Sequence, residues 1–193
     1  APIPEGKRRA KWEIDPSTAS PGETVILSKR NELGKKLSNL ANLPIVLDEV
    51  TYGSVESLWQ CLKFPDPELA DDPRLTKGEI WWGQTRASIA ASKAWQVKRI
   101  GTWANGRMRS LRINWVSYRG RRMDYHTAEK GEHYLLIKRA IRAKLEQHPD
   151  ALELLRSTGS LRLLPDHDIG SDADPAWRFH EILMELRAEL FSN

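Results

Sequence analysis

The sequence has little of what many enzyme classes require. A single cysteine, Cys61, stands in 193 residues, which excludes an intramolecular disulfide and any multi-cysteine metal site. No apolar run approaches the ~20 residues that a membrane-spanning helix needs. The opening Ala1-Pro2-Ile3-Pro4-Glu5-Gly6-Lys7-Arg8-Arg9 has no apolar core and does not read as a secretory signal. A reducing, cytoplasmic compartment is therefore the expectation. There is no Walker loop, G-x-G-x-x-G, His-Glu-x-x-His or G-x-S-x-G. The histidines at 126, 133, 148, 167 and 180 lack metal-ligand spacing, so neither a metal nor a cofactor is expected. Cys61 falls between Gln60 and Leu62 on a helical pattern and reads as a buried, inert thiol.

What is present is a globular composition, 40% apolar and 29% charged, in a chain long enough for one core without staples. The net charge of +4 is unevenly placed. Residues 86–145 carry 15 basic and 3 acidic side chains, a balance of +12, and residues 146–193 carry 4 basic and 10 acidic ones, a balance of −6. The middle segment is where an anionic partner would dock. The competing reading is a solvated helical surface lying beside the acidic C-terminal third.

Residues 1–24 mix proline, serine and charge and read as an arm with little structure of its own, followed by one domain over 25–193. Thr24–Ser28 reads as a strand, and 45–47 with 50–52 flank Asp48-Glu49 as a hairpin. Ser54 reads as the N-cap of a helix carrying Val55, Leu58, Trp59 and Leu62. Asp66 to Lys77 reads as a loop. A helix is expected over 84–100 with Gly101 as its stop, another over 133–147 with Lys138, Arg139, Arg142 and Lys144 outward, and a short one from Pro149 to Arg156. Asp174-Pro175 reads as cap and first residue of a last helix to Phe191. The class is α+β, mostly helical, with helices around a small N-terminal sheet.

Three features carry chemistry. Glu56 falls in the first turn of a helix, where the dipole favours a carboxylate, although capping alone would explain it. Trp81, Trp82, Trp95, Trp103, Trp115 and Trp177 interleave with arginines, a combination suited to a purine and a phosphate. The segment from Asp166 to Asp174 holds four aspartates, without the spacing of a calcium loop.

Several strings, taken together, resemble the NADAR superfamily. They are Leu37-Ser38-Asn39-Leu40, then Ser54-Val55-Glu56-Ser57-Leu58-Trp59-Gln60-Cys61-Leu62-Lys63-Phe64, then Arg112-Ile113-Asn114-Trp115, then Leu183-Met184-Glu185-Leu186-Arg187. The resemblance implies cleavage of an N-glycosidic bond to ribose. With Lys29-Arg30-Asn31-Glu32 ahead of the first string, it looks like the branch that removes ADP-ribose from guanine in DNA, the antitoxin to a DarT-type ADP-ribosyltransferase. It looks less like the branch acting on riboflavin-synthesis intermediates. It implies catalytic roles for Glu56, Lys29 and Asp168, and substrate contacts from Glu32, Asn39, Trp59, Gln60, Arg112, Trp115 and Asp172. Arg112 is a candidate for Glu185 or for the diphosphate; Lys29 for a phosphate or a Schiff base. If the partner is ADP-ribosylated DNA, Arg99, Arg107, Arg109, Arg119, Arg121 and Arg122 are candidate phosphate contacts. Two departures stand out: 166–177 is shorter than the family pattern, and 123–133 looks like an insertion. A non-catalytic ADP-ribose or NAD module and a nucleic-acid-binding protein are the other readings.

Overall fold

Three two-stranded sheets and seven α-helices make up the computed structural model, which describes residues 13–26, 31–75, 83–170 and 172–191. The mostly helical α+β class holds. Glu23–Val25 (β1) runs parallel to Arg162–Leu164 (β6); Ile45–Leu47 (β2) and Val50–Tyr52 (β3) form the expected hairpin; Trp115–Tyr118 (β4) and Arg121–Asp124 (β5) form a second one. Asp48 and Glu49 both take left-handed φ, as do Arg119 and Gly120. That is the paired-turn geometry whose twist suits a tight hairpin. The second hairpin escapes a sequence reading because Arg119-Gly120 is a weak turn signal and Arg121-Arg122 is not an apolar run.

The helices are Glu32–Leu37 (α1), Val55–Cys61 (α2), Arg86–Ala90 (α3), Ala94–Ser110 (α4), Glu132–Gln147 (α5), Pro149–Ser157 (α6) and Phe179–Phe191 (α7). Helix α5 is central. Its Ile137, Ala140, Ile141 and Leu145 are fully buried, and it packs against α2, α6, α7 and β2. No helix among the described residues is long and apolar enough to cross a membrane.

Four expectations need correction. The helix read over 84–100 is two helices, and Gly101 lies inside α4 rather than ending it. A Cβ on Gly101 would sit 1.9 Å from Gln60 Oε1, so this glycine serves the close approach of α2 to α4. Asp174 and Pro175 take the N-cap and first positions of a 3-10 turn and not of the last helix, and the Asp174 side chain makes no cap bond. Its carboxylate is 3.0 Å from His126 Nδ1, and Pro175–Trp177 forms a 3-10 turn before α7. Within the expected arm, residues 1–12 lie outside the described residues, but the rest is fastened down. Ile14 N–H donates to Asp166 O at 2.9 Å, and Asp15 caps a turn over Pro16–Thr18. Finally, Lys144 faces inward, not outward.

Lys144 is fully buried. Its ammonium donates to Leu37 O at 2.7 Å and Ser38 O at 3.2 Å, carbonyls at the end of α1, where the helix no longer supplies every partner. Burial pushes its pKa down to about 7. The unfolded chain keeps that proton to about 10.5, so above pH 7 the unfolded state holds more protons and stability rises with pH. The limiting slope is about 1.4 kcal/mol per pH unit. Lys144→Met should flatten this rise, read from urea unfolding at about pH 7 and about pH 9. The same rise in the variant and the wild type would show that Lys144 stays charged throughout.

Candidate active site

Helix α2 begins at a well-built N-terminus. Ser54 is extended, and its Oγ accepts from Ser57 N–H at 3.0 Å. Ser57 Oγ donates to Ser92 O at 3.0 Å, tying the helix to the end of α3. A Cβ at Gly53 would lie 2.7 Å from that same Ser92 O, which is why the residue before the cap is glycine. Glu56, in the first turn, donates its own N–H to Asn39 O at 3.0 Å. The strings around Asn39 and Glu56, 17 positions apart in the numbering, thus meet at one hydrogen bond.

One turn on, Gln60 Nε2 donates to Glu56 Oε1 at 2.7 Å. That bond fixes the carboxylate and leaves Gln60 Oε1 buried without a partner; Asn39 Oδ1, Asn105 Oδ1 and Trp177 Nε1 are in the same condition. All four residues line one cavity of about 600 Å³. Its other walls are Trp59 and Lys63 from α2; Lys98, Gly101 and Thr102 from α4; His126; and the segment from Asp166 to Asp174.

The walls differ in kind. One is aromatic: Trp59 meets Trp177 edge-on at 5.0 Å and His133 at 4.8 Å, while His126 stacks on Trp177 at 5.5 Å. Burial drives His133 down to about 4, with Lys63 adding to the effect, so it is a neutral ring near pH 7. A second wall is acidic, with Asp168 and Asp172 exposed at the rim and Asp166 buried below them. Asp168 Oδ1 accepts from Gly170 N–H at 2.8 Å. Between the walls lies Lys63, only 1% exposed, with its Nζ 5.4 Å from the centre of the Tyr125 ring. Among the described residues no carboxylate is within ion-pair distance of it. Burial pushes Lys63 down to about 8, against the pull of the Glu56 charge.

Of the residues named from the sequence, the cavity gathers Asn39, Glu56, Trp59, Gln60, Asp168 and Asp172. Lys29 lies outside the described residues. Glu32 is exposed and pairs with Lys35 at 2.6 Å, away from the cavity lining. Trp115 does not line it either: Arg74 and Arg122 cover its ring at 4.5 and 4.4 Å. Arg112 is exposed at a left-handed φ after α4 and does not reach Glu185. That carboxylate is held by Lys130, Tyr134 and Lys138.

The arginine candidates divide. Arg121 pairs with Glu132, and Arg122 donates to Asp71 O at 3.0 Å, so neither pairs with the acidic C-terminal third. Arg107 lies over Trp103 at 5.9 Å. Arg99, Arg109 and Arg119 form no ion pair among the described residues. Lys63 carries no role in the sequence reading, Lys98 enters it only as one of the cations among the tryptophans, and Asn105, His126 and His133 have no place in its site. Lys63 was visible in its motif string. The others carry no local signal, because only the packing of α4 and of residues 123–133 against α2 brings them in. Cys61 is buried as expected, its thiol pushed up to about 12 by burial. Among the described residues no cluster of three metal-ligating side chains exists.

No family model matches the chain, and no curated protein is significantly similar to it. Among solved structures, the NMR structure of the E. coli protein YbiA matches with 21% identity and a TM-score of 0.54, over 86% of this chain and 83% of that one. This likeness shows a shared fold.

The geometry couples Lys63 to Glu56. Since the Glu56 charge raises Lys63, Glu56→Gln should move the lysine below about 8, measured by NMR titration of its side-chain carbon and nitrogen signals. An unchanged or higher value would show that the two groups do not share a field.

Proposed function

We propose that this chain is an N-glycoside hydrolase that removes ADP-ribose from guanine bases of DNA, acting as antitoxin to an ADP-ribosyltransferase. The observation that carries the reading is the meeting of Asn39, Glu56, Trp59, Gln60 and Lys63 in one cavity, with the Glu56 carboxylate fixed by Gln60.

The reaction breaks the bond between the ribose anomeric carbon and the guanine nitrogen. The electron pair leaves with nitrogen, and positive charge builds over the anomeric carbon and ring oxygen. Glu56, half-buried and facing the cavity, stabilises that charge and takes a proton from the attacking water. The departing nitrogen needs a proton, and Lys63 supplies it: an ammonium with a pKa of about 8 is protonated at neutral pH and readily gives the proton up. Water closes the balance: its hydroxyl goes to the anomeric carbon, and the proton that Glu56 took passes through solvent to Lys63, which restores both groups.

The open amides of Asn39, Gln60 and Asn105 suit ribose hydroxyls, and the Trp59–Trp177 wall suits a flat base. A diphosphate is repelled by Asp168 and Asp172, so it lies toward Lys63 and Lys98. In this reading Asp168 and Asp172 hold sugar hydroxyls at the rim, and Lys29 takes a phosphate.

Incubation with an oligonucleotide ADP-ribosylated on guanine should release free ADP-ribose, and Glu56→Gln should lower the rate by on the order of 100-fold or more while keeping the wild-type melting temperature. ADP-ribose bound without release would point to a recognition module. Turnover confined to a ribosylamino-pyrimidine would point to the riboflavin-type substrate. Near wild-type rates in a folded Glu56→Gln protein would remove this carboxylate from the chemistry.

A further inference from the structure

Several cations of the basic segment are spoken for. Arg121 pairs with Glu132, Lys130 with Glu185, Lys138 with Glu185 and Glu189, Arg139 with Asp48, and Arg142 with Glu189. Helix α4 carries several that are not. Its Lys98, Arg99 and Arg109 are exposed and form no ion pair among the described residues. Arg109 sits in the last turn, where a cation gains from the helix dipole, but Arg99 is mid-helix, where the dipole has no such effect.

The same face carries Trp95, 47% exposed. Positions 95, 99, 102, 106 and 109 recur every three or four residues and so share one side of the helix. At 1.5 Å per residue they extend over about 21 Å. An indole in solvent beside unpaired guanidinium groups, on a helix whose flank forms a cavity wall through Lys98, Gly101, Thr102 and Asn105, is an arrangement that core packing does not explain.

We propose that the outer face of α4 is a track for a single-stranded nucleic acid. Arg99 and Arg109 take backbone phosphates, Trp95 stacks on an unpaired base, and the strand passes the cavity mouth at Lys98, so that a modified base on it can turn inward. The commitment to a single strand follows from Trp95, since a ring face can be covered only by a base that is not already stacked in a duplex. The track rests on the reading that the substrate is a nucleic acid, but its test needs no turnover.

An unmodified, fluorescently labelled single-stranded DNA oligonucleotide is titrated into the wild type, Arg99→Ala with Arg109→Ala, and Trp95→Ala, across a range of salt. The arginine double variant should bind more weakly and show a slope of log affinity against log salt smaller by about 1.4, the loss of two single-strand phosphate contacts. Trp95→Ala should lose about 5- to 150-fold in affinity, the range for one stacked base, with its slope unchanged. Arg99→Lys with Arg109→Lys should restore the slope, which separates a charge effect from a folding defect. All three variants should bind free ADP-ribose as the wild type does.

Wild-type affinity and slope in the double variant would overturn the track, as would absence of oligonucleotide binding by the wild type. Tight binding to anionic phosphatidylserine vesicles, lost in the same variants while oligonucleotide binding is not, would assign the face to a membrane surface instead. The two readings fail separately. Oligonucleotide binding that responds as described, without release of ADP-ribose from modified DNA, would remove the hydrolase and leave the track. Release that proceeds at wild-type rate and affinity in the α4 variants would do the reverse.

Discussion

The buried ammonium of Lys144 is the constraint on which the cavity floor depends. Helix α1 is only six residues long, too short to hold its own shape in water, and its end is followed at once by Asn39. By donating to both Leu37 O and Ser38 O, Lys144 pairs the Leu37 carbonyl, adds to the bond that Ser38 O already accepts from Ala41 N–H, and fixes the direction in which the chain leaves the helix. The next carbonyl, Asn39 O, is then in place to accept from Glu56 N–H. One lysine on the central helix thereby orders a short helix, a loop and the first turn of α2. Removing this donor leaves the buried Leu37 carbonyl without it, a cost of about 1–3 kcal/mol.

Charge is sorted by what surrounds it. Between α5 and α7, Lys138 and Glu185 stand 2.9 Å apart inside a larger network that includes Lys130, Arg142 and Glu189. Burial disfavours the Glu185 charge, yet hydrogen bonds from Lys130, Tyr134 and Lys138 outweigh it and lower its pKa to about 2. This network absorbs much of the contrast between the +12 and −6 segments without involving the cavity. At the cavity itself, carboxylates stand on one side and the α4 cations on the other. Opposed walls of this type orient a ligand with an anionic end and a hydroxyl-rich end, because reversing it would place like charges together.

Local signals were legible and long-range ones were not. The hairpin at 45–52 and the helix capped by Ser54 could be read because turn residues, cap and apolar spacing lie within a few positions of each other. So could the grouping of Asn39, Glu56, Trp59 and Gln60, though only as motif strings. Gly101 shows the limit. In sequence a glycine after a helical run signals a stop, whereas here it is the gap through which Gln60 reaches, a role defined by a residue 41 positions earlier in the numbering. Lys144 was placed on an outer face because its neighbours Arg139 and Arg142 are there, but position 144 projects toward α1. The string gives Trp115 a substrate contact, yet its ring lies under two guanidinium groups and lines a different cavity, and Arg74 is itself locked to Asp72 at 2.8 Å.

The concentration of open polar groups argues that the cavity is a site and not a packing fault. Interiors pair nearly all their buried polar atoms, and each exception costs about 1–3 kcal/mol. Asn39 Oδ1, Gln60 Oε1, Asn105 Oδ1 and Trp177 Nε1 come from four separate stretches of chain, yet all line the same walls. Together they would forfeit a sum comparable with the whole net stability of a domain, about 5–15 kcal/mol. An apolar residue at any of these positions would remove the penalty. Three amide acceptors and one indole donor suit a partner that both donates and accepts, as a hydroxyl does, and disfavour an anion, which cannot donate to the amides. In the reaction proposed above the amides take the sugar hydroxyls, and discrimination among ribosides falls to the aromatic and charged walls on either side.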